Sequence, residues 1–455
     1  MFFNLRHNLC DKIKAAGLTV VKFALCILFF VDFYTDYCVV KKFLSGRKCD
    51  SIYDQNKTSQ IEILGNETQL VNGIGFDWIG DTNPRDADNI QLKYVTYGMT
   101  YLACFIVSHF LQACISWKRW SEWLSEKNRP FPKKLKVAHF ALCHMVHRFF
   151  KELLFYFRLQ HEKLIRNRTG HVAVYWRNYV KLLQDNHFLV MIEKGIEASP
   201  QIIILLYVYA LERCQSCSQE SSAVGLYVEL PIIGKTPIIY KIGFSFFCVI
   251  IPLAFSVADE KLDPEYKKAK EWSFAKKYLA AVPVYGVYEL AFTGVRIIWL
   301  TGMLIIHPAY LAAWLIIRVV VFSFFTKRIV QSWSCAIVTS IIWITIWFQP
   351  VDARDHRRND DNFMKKYRKS MLLQWNYGIA TLELFISCAA FYLQGNKCLL
   401  KLIPRESLGV CTFLLATHCL SILAMLIFYR FIHETALKLS NTARAEERYE
   451  LGNTN

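Results

Sequence analysis

The sequence predicts an all-α polytopic membrane protein with eight transmembrane helices plus two re-entrant or interfacial helices, arranged as two parallel-related halves. Three observations predict it. The chain has 455 residues, of which 54% are hydrophobic and 15% aromatic, too apolar for a soluble domain with an ordinary surface. Several apolar runs reach the roughly 20 residues that cross a bilayer. The Lys and Arg residues behind the net charge of +17 sit mainly between those runs, as the positive-inside rule requires. No basic patch interleaves with exposed aromatics, so the charge argues for membrane topology and against a nucleic-acid partner.

The first span, residues 17–40, is long, carries Asp32 and Asp36 and lacks a small-residue cleavage pattern, so it is a helix and not a signal peptide. An outer loop follows at 43–93, with two glycosylation sequons at Asn56 and Asn66. Lys41, Lys42, Arg47 and Lys48 on that side stand against the orientation. The second span, 94–117, returns to "WKRW" (117–120) and a cytosolic basic segment, 118–187. Within it the apolar stretch 135–158 is broken by His139, His144, His147, Arg148, Lys151 and Glu152, which makes it re-entrant or interfacial. Spans 188–211 and 241–258 complete an N-terminal half, 1–258, and a cytosolic linker occupies 259–280. The C-terminal half, 281–430, holds spans 281–306, 309–326, 373–394 and 409–430, with a second re-entrant stretch at 329–349 and a basic loop at 350–370. Residues 431–455 form a short cytosolic tail. Counting either re-entrant stretch alone as a full span would throw basic loops outside. Re-entrant backbone is tolerated only where protein or a wet cavity covers it, so this topology already implies a cavity.

Cys49, Cys214, Cys217 and Cys398 fall in outer loops, and an even number in an oxidising compartment predicts disulfides, with Cys398 joined to Cys214 or Cys217. "CQSC" (214–217) has no partner CxxC, which argues against a metal site. His139, Cys143 and His147 share a helix face but have no carboxylate at matching spacing, so an interfacial helix is favoured over zinc. There is no Walker motif, no HExxH and no dinucleotide fingerprint, so neither an enzyme nor a cofactor is expected.

The spans carry Lys22, Asp32, Asp36, Glu193, Lys194, Glu197, Glu289, Arg296, Arg318 and Glu383. A charge at mid-bilayer costs ~2.5–3.5 kcal/mol on insertion scales, and such residues persist when they face one another or a water-filled path. Asp32 and Asp36 are four apart and share a helix face, as do Glu193 and Glu197. Glu289 and Arg296 are seven apart, and are expected to pair with other helices rather than with each other. One reading is a set of interhelical salt bridges that lock the bundle; the other is a polar track for something charged. Pro200 lacks an N–H and disturbs the helix beside Glu193 and Glu197.

Five stretches resemble the XK-related family of phospholipid scramblases and their relatives: "VDFYTDY" (31–37), "IEASPQIIILLYV" (196–208), "GVRIIWL" (294–300), "TLELF" (381–385) and "FYRFIHE" (428–434). In the second, Ser and Ala are exchanged relative to the family's Glu-Ser-Ala-Pro-Gln, and in the last Glu434 stands where the family has proline. The resemblance implies eight spans with two re-entrant helices. It also implies energy-independent lipid movement between leaflets along a ladder of charged residues: Asp32, Asp36, Glu193, Glu197, Arg296 and Glu383, to which Glu289 is added by its place within a span. It implies phospholipids such as phosphatidylserine as substrate, a plasma-membrane location, and a single-span glycoprotein chaperone or a bridge-like lipid-transfer protein as partner; the eight-span count itself puts both termini in the cytosol. The tail from Phe431 to Asn455 has no Asp, so activation by caspase cleavage is not expected there. A non-catalytic membrane scaffold and a solute transporter are the alternative readings. Among the carboxylates, Asp32 and Glu197 are expected to be the more structural, and Asp36 and Glu193 the more functional.

Overall fold

The computed structural model describes residues 2–44, 84–125, 154, 156–157, 186–216, 227–230, 234–262, 281–306, 308–330, 333–346, 371–394 and 407–428. Nearly all of these are helical. Helix α1 runs Phe2–Leu44 and α2 runs Pro84–Ser125. Helical residues 186–192 lead into a π-helical turn, Glu193–Ala198, and on into α3, Ser199–Ser216. A small antiparallel hairpin follows, β1 (Tyr227–Leu230) and β2 (Gly234–Pro237), in register Val228 to Thr236. Then come α4 (Ile238–Leu262), α5 (Val282–Ile306), α6 (Pro308–Val330), α7 (Trp333–Ile342), α8 (Met371–Gln394) and α9 (Ser407–Leu426).

Five helical segments are long and apolar enough to cross a membrane: Thr19–Leu44, Lys93–Trp117, Ile238–Phe255, Val282–Ile306 and Pro308–Lys327. Their outward faces are apolar. Tyr310, Ile316 and Phe324 on α6, Phe110 on α2 and Phe413 on α9 are each 60% or more exposed. Contiguous apolar surface on this scale belongs against lipid. The polar residues lie inside, because there they can satisfy one another.

α5 forms the centre of the bundle, packed by α3, α4 and α9. Its buried Tyr285, Tyr288 and Phe292 build an aromatic core with Tyr377 of α8 and Phe428, which follows α9. α1 lies on α2, where Gly98 lets the backbones close: a Cβ there would stand 2.8 Å from that of Phe43.

Helix α7 differs from the full crossings. Ten residues at about 1.5 Å each reach only about 15 Å, half the hydrocarbon core. Residues 343–345 then turn, and Ile346 is fully buried. The apolar stretch 329–349 therefore does not run as one spanning helix through its described part. Of the apolar stretch 135–158, only positions 154, 156 and 157 are described.

Candidate functional site

Three elements converge on one buried cleft, lined by Phe29, Asp32, Phe33, Asp36, Glu193, Lys194, Glu197 and Ala198. α1 supplies the two aspartates from one face. The π turn supplies the two glutamates and the lysine between them, and α2 closes the side with Tyr101 and His109.

The π turn explains why the glutamates point inward together. Pro200 has no N–H to donate, so the α-helical ladder is already interrupted where it sits. The backbone widens below it: the Ser199 N–H bonds to the Lys194 carbonyl, and the Ser199 hydroxyl donates to the same oxygen at 2.7 Å. All six residues of the widened turn are buried, Glu193, Lys194 and Glu197 included. Gly195 is needed there, because a Cβ would lie 2.7 Å from Ile342 Cγ2 at the end of α7.

Inside the cleft the charges divide into three sets. Lys241 of α4 reaches across to α1 and donates to Asp32 Oδ1 at 3.0 Å, to Asp36 Oδ1 at 2.7 Å and to the Thr35 hydroxyl at 2.6 Å. That uses all three N–H groups of an ammonium. Tyr101 of α2 donates to Asp36 Oδ1 at 2.6 Å, so Asp36 ties α1, α2 and α4 together. Glu193 Oε1 pairs with Lys194 Nζ at 2.5 Å. Glu197 faces His109, with Nε2 3.8 Å from Oε1, while its Oε2 has no hydrogen-bond partner. The cleft itself holds about 10 Å³, room for about one water.

A second cluster stands apart from the first. Glu383 of α8 accepts from Arg296 of α5 at one oxygen and from Arg318 of α6 at the other, where Trp314 Nε1 also donates at 2.9 Å. The two arginines face the turn after α7 as well: Arg296 Nε donates to the Ile344 carbonyl at 2.9 Å, and Arg318 Nη2 lies 3.4 Å from that of Trp343. Each guanidinium also lies over an aromatic ring, Arg296 on Trp299 at 4.8 Å and Arg318 on Phe322 at 4.9 Å.

The structure thus brings Asp32, Asp36, Glu193 and Glu197 together and places Arg296 and Glu383 in a different cluster. Arg296 pairs with another helix, as its spacing from Glu289 suggested. Glu289 belongs to neither group. It is fully buried, and its two oxygens accept from Tyr285 (2.8 Å) and Thr293 (3.1 Å) of its own helix. Within the cleft Glu193 is bonded to its neighbour Lys194, and Glu197 Oε2 has no hydrogen-bond partner. Sequence reasoning missed Lys241, since a lysine at the end of an apolar run reads as an interfacial anchor. It also missed Tyr101 and Trp314, aromatics indistinguishable in sequence from packing residues.

Cys49, Cys217, Cys398, Asn56 and Asn66 lie outside the described residues, and Cys214 falls in the last turn of α3, where only the backbone is described.

The family model for XK-related protein matches residues 90–434. A comparison with curated proteins finds no match.

Proposed function

Because the chain belongs to the XK-related family, we propose that it is an energy-independent phospholipid scramblase whose headgroup path is the cleft between α1 and the π turn. The observation that carries this reading is the cleft lining: four carboxylates and a lysine, buried within a bundle whose outer surface is apolar. A phospholipid headgroup cannot cross hydrocarbon unaided, because its charges would be buried without compensation. A polar interior lowers that barrier while the acyl tails stay in lipid. Movement down a gradient needs no ATP, and no cofactor enters the scheme.

The path narrows the original ladder of candidates. Asp32, Asp36, Glu193 and Glu197 line it, whereas Arg296 and Glu383, bonded to each other, anchor the C-terminal half. Glu289 takes its hydrogen bonds from its own helix and packs the core. In this reading the bundle has eight spans and two re-entrant helices, with both termini cytosolic, in the plasma membrane. A single-span glycoprotein chaperone or a bridge-like lipid-transfer protein is the expected companion.

Reconstitution tests the proposal. The purified full-length chain, placed in vesicles with trace tail-labelled lipid, should expose about half of the inner-leaflet label to an external quencher, well ahead of protein-free vesicles. Folded protein that moves no lipid would reject the proposal and favour a scaffold.

A further inference from the structure

We infer that Cys388 of α8 and Cys411 of α9 are oxidised to a disulfide that staples the two helices near their joined ends. The inference goes beyond lipid movement. It takes only one thing from the reading above, the side of the membrane that those ends face.

Placement gives the first reason. Cys411 Sγ lies 3.8 Å from the Cys388 backbone carbonyl, and the two thiols are hydrogen-bonded to each other. Both belong to one apolar cluster with Val295, Leu384 and Leu414, where α8 and α9 pack. A disulfide needs its Cα atoms within about 7 Å, and a thiol that touches the opposite residue's backbone is within that reach. Closing the bond then asks for rotation of the side chains, not for a new packing of the helices.

The second reason is the compartment. Cys388 is six residues from the end of α8 and Cys411 four from the start of α9, about 9 and 6 Å along the helices. The pair therefore sits just inside the mouth of the hairpin joined by residues 395–406. With eight spans and cytosolic termini, that mouth opens on the outer side, which is the oxidising side during maturation.

The third reason is what a staple would hold. α8 lies at the edge of the bundle, with Leu382, Phe385 and Ile386 each more than half exposed. Yet it carries Glu383, the acceptor of both arginines. α9, in contrast, packs closely on the central α5. A bond from Cys388, five residues beyond Glu383, ties the outer helix to the core through α9 and keeps that acceptor in place.

The structure holds both residues as thiols, the reactants of the step. The oxidant is a disulfide oxidoreductase of the secretory compartment. The Cys411 thiolate attacks its disulfide, forming a mixed disulfide and releasing one oxidant thiol. The Cys388 thiolate then attacks the Cys411 sulfur and releases the second. The two cysteines lose two electrons and two protons, and the oxidant gains both as two thiols. Each cysteine is less than a tenth exposed, so exchange belongs to the stage before the hairpin packs, and the packed bond is shielded from reductant.

Mass spectrometry tests this on the full-length chain. The protein is extracted with N-ethylmaleimide present and digested without reduction. The peptides carrying Cys388 and Cys411 should be joined, and should separate on reduction. Maleimide on both residues, or either one joined to Cys398, would overturn the inference. Melts in detergent give a separate readout. Cys388→Ser, Cys411→Ser and the double variant should lower the thermal midpoint by the same few degrees, because each removes the same bond. Additive shifts would show two independent losses of packing and no bond. A protein that moves no lipid leaves both readouts intact, so failure of the scramblase reading and failure of the staple are told apart.

Discussion

Lys241 has two carboxylates and a hydroxyl around its ammonium, and it is 3% exposed. Removing one member of a buried ion pair costs ~3–5 kcal/mol, mostly the penalty of the charge left behind. Lys241→Met strands two aspartates and should lower the thermal midpoint sharply or block maturation. Adding Asp32→Asn and Asp36→Asn to it removes the stranded charge, and stability should return in large part; no recovery in a melt of the triple variant would show that the three residues are not a closed set. The same reasoning applies to Glu383, the shared acceptor of two arginines. Glu383→Ala should destabilise by ~3–5 kcal/mol, read as loss of folded protein in size-exclusion profiles. The pairs themselves were half legible in the sequence. Spacing placed Asp32 with Asp36 and Glu193 with Glu197, because side chains four apart share a helix face. Their cations were harder to find, since Lys241 lies 209 positions along the chain from Asp32 and only packing brings them together.

At the scale of elements, the π turn carries two consequences. A Cβ on Gly195 would lie 2.7 Å from Ile342 Cγ2, closer than side chains pack. Gly195→Ala should therefore destabilise by about 1–3 kcal/mol, the usual cost of overpacking, and Ile342→Ala should recover part of that loss. Additive melting shifts in the double variant would mean that the two residues do not touch. Pro200→Ala restores an N–H and lets the turn relax to an α-helix, which rotates what precedes it by about 100° per residue of register. Lipid flux should drop, because Glu193 and Glu197 leave the cleft together, and stability should fall as buried charges lose their partners. A stable Pro200→Ala with full flux would show that the widened turn does not position the glutamates. Pro200 marked a disturbance in the sequence, but no pattern of residues distinguishes a widened turn from a kink. Nor did hydropathy reveal that α7 is short: residues 329–349 are apolar for long enough to cross, and only the turn at 343–345 stops the helix.

For the whole molecule, composition and apolar runs were enough to show a helical membrane protein, and five of the runs are helices long and apolar enough to cross a bilayer. Sidedness depends on loops, and it yields a prediction from charge. Asn56 and Asn66 should carry glycans, and their shared loop should react with impermeant reagents from outside, whereas tags near Lys268 and Arg357 should react only after permeabilisation. Labelling of the 350–370 loop in intact cells would overturn the eight-span topology.

A helix that stops halfway leaves its last carbonyls facing a medium with no donors, and a lipid bilayer does not forgive that. Here Arg296 bonds the Ile344 carbonyl and Arg318 reaches toward that of Trp343, while the other end of each guanidinium holds Glu383. The two arginines thus serve as a splice, mending an open backbone with side chains from neighbouring helices. The same α7 presses Ile342 against Gly195 between the cleft glutamates. Loosening the splice therefore unseats the wall of the cleft, so damage around Arg296 and Arg318 should be felt at Glu193 and Glu197 without any charge passing between them.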